Sequence, residues 1–115
     1  MPRTTAYSRG NVVLVGFVFA DESGSKLRPA LIVSSPAYHR GRHEVIVAAI
    51  TSNLGRRLPG DCAPAEWKSA GLLFPSLVTG ILRTVKGSML QRKLGSLTES
   101  DLQVVERELR RSLAL

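Results

Sequence analysis

The chain of 115 residues has one cysteine, one tryptophan, two tyrosines and three phenylalanines. Cys62, being alone, can close no intrachain disulfide and has no second thiol for a metal cluster. Two histidines, His39 and His43, stand four apart, a spacing that holds a metal well only on a helix. Pro36 and Gly41 instead predict a turn-rich connection from Ser35 to His43, and no metal or other cofactor is expected. No apolar run reaches the roughly 18 residues that span a bilayer. The run from Val12 to Ala20 is bounded by Arg9-Gly10 and Asp21-Glu22 and lacks a small-residue cleavage site, so a soluble, cytoplasmic protein without membrane partners is expected. Acids are scarce as well: nine Asp and Glu against sixteen Lys and Arg, a net charge of +7. That imbalance favours a polyanionic partner. The excess lies mainly in residues 1–60, with eight basic and three acidic side chains, against eight and six in residues 61–115.

What is present is a set of short β-branched runs. Asn11 to Phe19 (NVVLVGFVF) reads as a strand in which Gly16 marks a bulge or close packing. Ala20 to Leu27 reads as a loop, and Pro29 to Ser34 as a second strand with the proline at its first residue. Glu44 to Ser52 is apolar enough for a central strand, and Asn53 to Pro64 is a loop. A helical turn around Ala65 to Ala70 follows, then strands from Leu72 to Thr84 and near Leu90 to Leu94. The last segment reads as a helix: Thr98 as N-cap, Asp101 completing a capping box, and Leu97 with Leu102 as a hydrophobic staple. Leu102, Val105, Leu109 and Leu113 share one helical face. No linker or repeat divides the chain, so residues 1–115 are expected to form one mainly β domain, a strongly curved sheet closing into a small barrel with a C-terminal helix.

Three places combine reactive groups with strand ends. In Ser25-Lys26-Leu27-Arg28-Pro29 the proline holds the preceding residue toward extended geometry, and a guanidinium offers forked donors to phosphate oxygens. Ala49-Ile50-Thr51-Ser52-Asn53 ends an apolar strand in hydroxyl and amide groups. Leu82-Arg83-Thr84 repeats the theme. Were these ends brought together, they would form a cationic pocket with hydroxyl donors and no carboxylate, suited to a phosphodiester. No Gly-rich phosphate loop, carboxylate pair or Ser/His/Asp pattern competes. The residues alone reach a basic β-domain that binds nucleic acid.

At these segments the sequence resembles the PemK/MazF toxins of type II toxin–antitoxin systems. The blocks are Arg9-Gly10-Asn11-Val12-Val13, Ser25-Lys26-x-Arg28-Pro29 through Val33, Ala49 to Asn53, Trp67 with Ala70-Gly71-Leu72, Pro75-Ser76, Leu82-Arg83-Thr84 and Leu94-Gly95-x-Leu97. The resemblance implies an SH3-like barrel of the PemK/CcdB type, a homodimer, and cleavage of single-stranded RNA at short motifs with a cyclic phosphate and a 5′-hydroxyl as products. It also implies an antitoxin partner whose acidic, flexible tail fills the RNA groove. The family's Arg-Pro arginine and strand-end threonine fall on Arg28 and Thr51, the catalytic candidates, with Ser52 in support. Ser25, Lys26, Asn53, Arg56, Arg57, Arg83 and Thr84 are the RNA-binding candidates. The chain departs from the pattern at Asn11, where an acid is usual, at Gly16 and Val18, where prolines are common, and at Thr79-Gly80-Ile81, where one branch carries an Arg and an Asp.

Each assignment has a plainer counterpart. Arg28 also suits an ion pair with Asp21 or Glu22, Thr51 and Ser52 a simple strand end, and Lys26, Arg56 and Arg57 a solvated face. Arg83 and Thr84 suit a structural role or a dimer seam. Trp67 reads as a core anchor ahead of a base-stacking platform, and Phe17, Phe19 and Phe74 most simply as core, though one could line the RNA groove. Cys62 reads as an unremarkable loop thiol, and His39 and His43 as solvated loop residues ahead of a general base. Two other functions share the barrel: a CcdB-like gyrase poison, and an inactive RNA-binding relative.

Overall fold

The β-branched runs do form strands. The computed structural model describes residues 7–18 and 25–115. Its elements are β1 (Asn11–Val18), β2 (Ser25–Ile32), α1 (Pro36–Arg42), β3 (Glu44–Thr51), β4 (Leu77–Lys86), a 3-10 turn (Gly87–Met89), β5 (Leu90–Ser96) and α2 (Glu99–Leu113). The strands make one antiparallel, barrel-like sheet in the order β4-β3-β2-β1-β5. Alternation sends Val13, Val15, Ala30, Ile32 and Val47 into one apolar cluster. Val12, Leu31, Ala48 and Ile50 enter another, beneath Trp67 and the α2 residues Leu102, Val105 and Leu109. Both faces of the central strands are therefore covered, which explains why their sequences are apolar almost throughout. No helix among the described residues is long and apolar enough to cross a membrane.

Several expectations are corrected. The connection from Ser35 to His43 contains a helix, because Pro36 takes the first helical position, where its missing N–H costs nothing. The Ser35 hydroxyl accepts from the Tyr38 N–H (3.2 Å), and His43 ends the helix in the left-handed region at φ 55°. His39 is fully buried, with Nε2 2.6 Å from the Ser34 hydroxyl, which itself accepts from the Ile46 N–H. It is a packing residue, whereas His43 is exposed. β2 starts at Ser25, so the last three residues of the expected loop are strand; the rest of that loop, and Phe19, lie outside the described residues. β4 begins only at Leu77, and residues 72–76 run as irregular chain. Leu113 is exposed, unlike the rest of its helical stripe. The short helical turn at 65–70 is present, closed by an Ala70 N–H to Glu66 carbonyl bond.

The N-terminus of α2 is capped by Thr98, whose hydroxyl accepts from the Asp101 N–H (3.2 Å). Asp101 does not complete a capping box. Its buried carboxylate accepts from the N–H groups of Ala65 and Glu66, both at 3.0 Å, and so caps the 65–70 turn. Hydrogen bonds to a charged acceptor are worth about 1.5–3 kcal/mol each, more than the return bond of a capping box would supply on an exposed helix end.

That turn leads into a backbone-on-backbone contact. Gly71 has φ +86°, and a Cβ there would collide with the Leu94 carbonyl; a Cβ on Gly95 would stand 2.6 Å from the Ala70 carbonyl carbon. Only glycines let residues 70–71 lie directly on β5. Cys62 pairs with Val78 through reciprocal backbone bonds of 2.9 and 2.8 Å, and burial, with a smaller contribution from Glu108, pushes its thiol pKa up. It is a core thiol and not a loop one.

Two substitutions test this scaffold. Gly95→Ala is expected to cost about 1–3 kcal/mol through overpacking against fixed backbone. Asp101→Ala, which leaves two N–H groups unsatisfied, is expected to cost about 2–3 kcal/mol. Both should appear in urea unfolding as a lower midpoint with an unchanged slope.

Candidate functional site

The candidate site is a cleft of about 840 Å³ where β2 and β3 part. The two strands pair at Ala30↔Ala49, Leu31↔Ala48 and Ile32↔Val47. The ladder ends one residue short of Pro29, which has no N–H to donate. Carried further, the same register sets Pro29 opposite Ile50 and Arg28 opposite Thr51. Across the sheet, Arg92 pairs with Leu14 and Leu14 with Pro29. Arg92, Leu14, Pro29 and Ile50 thus form one cross-strand row, and all four line the cleft. Residues 71–76, seated by the glycine contact, build the opposite wall.

Arg28, Thr51, Ser52 and Arg83, named from the sequence, all line this cleft. Arg28 and Arg83 are exposed and Thr51 is half-buried. Thr51 Oγ1 accepts from the Asn53 N–H (3.1 Å), which leaves its proton to be donated into the cleft. Among the described residues no carboxylate is within ion-pair distance of Arg28; Asp21 and Glu22 lie outside them. No Asp, Glu or His is among the lining residues. Among the described residues, three guanidiniums and the hydroxyls of Thr51 and Ser52 line the cleft, a donor set that fits an anion.

Other named residues lie elsewhere. Lys26, Asn53, Arg56, Arg57 and Thr84 are exposed but do not line the cleft, and Ser25 opens β2 opposite Val18. Asn53 braces its loop, with Oδ1 accepting from the Gly55 N–H (3.0 Å). Asp61 ties that loop to the sheet by accepting from the Leu58 and Gly80 N–H groups, both at 2.9 Å. His39 and His43 are absent from the cleft as well. Trp67 is half-buried against the core, with the Lys68 ammonium 5.5 Å from its ring centroid.

Two of the departures from the family pattern, Asn11 and Thr79, have structural roles. Asn11 is buried, accepting from the Ser8 N–H (2.8 Å) and donating to the Ser96 hydroxyl (3.0 Å). Thr79 bridges the irregular part of β4, donating to the Ala49 carbonyl (2.7 Å) and accepting from the Ile81 N–H. Arg9 serves the scaffold: it holds Glu106 of α2 at 2.7 Å and donates to the Val33 carbonyl.

Arg92 and Leu73 line the cleft without being sequence candidates. Arg92 carries a signal, since in a strand it shares a face with Leu94. Phe74 reads most simply as core, with the groove as its alternative, and it is the alternative that holds. It lines the cleft and is 61% exposed, because the segment around it is irregular chain and not strand.

Fold and cleft together define a small basic β-domain whose groove, among the described residues, is lined by arginines and by no acid. A family model described as PemK-like, MazF-like toxin of type II toxin–antitoxin system matches residues 8–113, and the chain belongs to that family. Among solved structures, an endoribonuclease in complex with its cognate antitoxin from a mycobacterial species superposes with a TM-score of 0.73 at 23% identity, covering 95% of this chain and 96% of that one. MazE-MazF from Deinococcus radiodurans gives 0.75 at 20% identity, covering 95% and 97%. The Mycobacterium tuberculosis toxin MazF-mt6 gives 0.73 at 24%, covering 91% and 97%. A search of curated protein sequences found no significant match. At these identities the structures establish the fold.

A groove with three guanidiniums should hold about three phosphates. With a salt slope of about 0.7 per phosphate on a single strand, affinity for single-stranded nucleic acid should fall roughly 20-fold between 50 and 200 mM salt. Arg92→Ala should reduce the slope by about 0.7, as measured by fluorescence anisotropy across a salt series.

Proposed function

We propose that this chain is a sequence-selective endoribonuclease toxin that cuts single-stranded RNA in the cytoplasm without a metal ion. It would act as a homodimer and be held inactive by an antitoxin whose acidic tail occupies the same cleft. The observation that carries the reading is that Arg28 and Thr51 line one cleft with no carboxylate among its described lining residues. Family membership and the endoribonuclease named in a superposed structure support it. So do superposed structures in which an endoribonuclease or a MazF stands in complex with an antitoxin or MazE.

In this reading the RNA supplies its own nucleophile. The 2′-hydroxyl oxygen bonds to the adjacent phosphorus, the bond from phosphorus to the 5′-oxygen breaks, and a 2′,3′-cyclic phosphate and a 5′-hydroxyl result. One proton leaves the 2′-hydroxyl and one reaches the departing oxygen. Arg28 neutralises the charge that develops on the phosphorane oxygens and can donate toward the leaving oxygen. A guanidinium holds its proton and is a poor base, and no lining carboxylate or imidazole among the described residues takes that role. Thr51, with Ser52, orients the phosphate by hydrogen bonds. Arg83 and Arg92 bind flanking phosphates. This chemistry would use no metal because the nucleophile is already in place on the substrate.

The test is incubation of the purified protein with a long single-stranded RNA in EDTA, with both product ends mapped. Cutting that leaves a cyclic phosphate and a 5′-hydroxyl is expected, and Arg28→Ala should slow it by about 10²–10³-fold, the usual loss for one transition-state donor, with unfolding unchanged. RNA binding without cutting would point to an inactive relative. Gyrase inhibition without either would reject the reading.

A further inference from the structure

Phosphate contacts position a strand but read no bases. The opposite wall has a different chemistry. Leu73 and Phe74 are 82% and 61% exposed, and both line the cleft. Leu27 and Ile81, at 55% and 61%, continue the apolar rim. A large apolar side chain left in water forgoes its burial, so an exposed phenylalanine that shares a cleft with Arg28, Arg83 and Arg92 calls for a function.

The segment bearing it is fixed at several points. The Gly71 N–H donates to the Lys68 carbonyl (3.0 Å) and the Leu72 N–H to the Trp67 carbonyl (3.2 Å). Leu72 is buried in the core. Pro75 restricts the backbone of Phe74 to extended geometry. The buried Ser76 donates its hydroxyl proton to the Phe74 carbonyl (2.8 Å). A flat ring held on a braced segment beside cations has the two properties a stacking platform for an unpaired base needs: a π-face in water and little freedom to lose on binding.

We propose that Phe74 is a specificity-determining residue that stacks on one unpaired nucleobase of the RNA while Arg28, Arg83 and Arg92 hold its phosphates. The inference rests on the reading of the cleft as an RNA-cleaving site. Stacking supplies affinity, and the lip formed by Leu73 limits which base edge fits against the ring.

The experiment compares two 2′-O-methyl oligonucleotides of equal length, which lack the nucleophile. One has mixed bases and the other is abasic at its central positions. The wild-type protein should bind the base-bearing strand more tightly. Phe74→Leu should lose about tenfold in affinity for it and none for the abasic strand, whereas Phe74→Trp should keep the preference. Arg83→Ala should weaken both strands equally. Equal weakening of both strands by Phe74→Leu, or no weakening of either, would overturn stacking while leaving the phosphate-binding cleft intact. Loss of a homodimer in Phe74→Leu, seen by light scattering, would assign the ring to a subunit contact and also overturn it. No binding of either strand by wild-type protein would reject the RNA reading and the stacking role together.

Discussion

The site depends on one interrupted ladder. Ala30 pairs with Ala49, and the next residue of β2 is a proline that can give the ladder no N–H. The strands remain neighbours through their shared core, so they keep their register while their ends part. A gap of this kind inside a sheet is lined by the last side chains of each strand, and these are Arg28, Thr51 and Ser52. The proline also holds Arg28 extended. One residue thus opens the cleft and aims the guanidinium.

Residues outside the cleft brace the elements on either side of that gap. Gly71 and Gly95 let the irregular segment lie on β5 at backbone distance, and Asp101 caps the turn before it. Asp61 and Thr79 stabilise the loop and the irregular strand on the other side. Arg9 spans from β2 to α2. Preorganisation of this sort matters for phosphoryl chemistry, because donors already aimed at the developing charge need not reorganise during reaction. Among the described residues no carboxylate lines the cleft, so none of them repels a bound anion.

The strands, the C-terminal helix, its N-cap and the grouping of Arg28, Thr51, Ser52 and Arg83 were legible in the sequence, because each depends on local pattern or on strand ends. Other features depend on distance in space. The Asp101 carboxylate was read as a partner of its own helix, but its better donors, Ala65 and Glu66, are more than thirty residues away. His39 reads as a loop residue until Ser34 and Ile46 enclose it. Phe74 reads as core because composition cannot reveal that residues 72–76 leave the sheet. Arg92 joins the cleft only through the row that runs from β5 across β1 to β2, a pairing no local signal encodes. Lys26, Arg56 and Arg57 show the converse: proximity in sequence to the site does not place a cation on its lining.

The central claim is that Arg28 and Thr51 act on the same phosphate. A double-mutant cycle on single-turnover RNA cleavage, using Arg28→Ala, Thr51→Ala and the pair, measures this directly. Groups that stabilise one transition state are coupled, so the double variant is expected to lose much less rate than the product of the two single losses. Losses that simply multiply would show two independent residues and contradict the account.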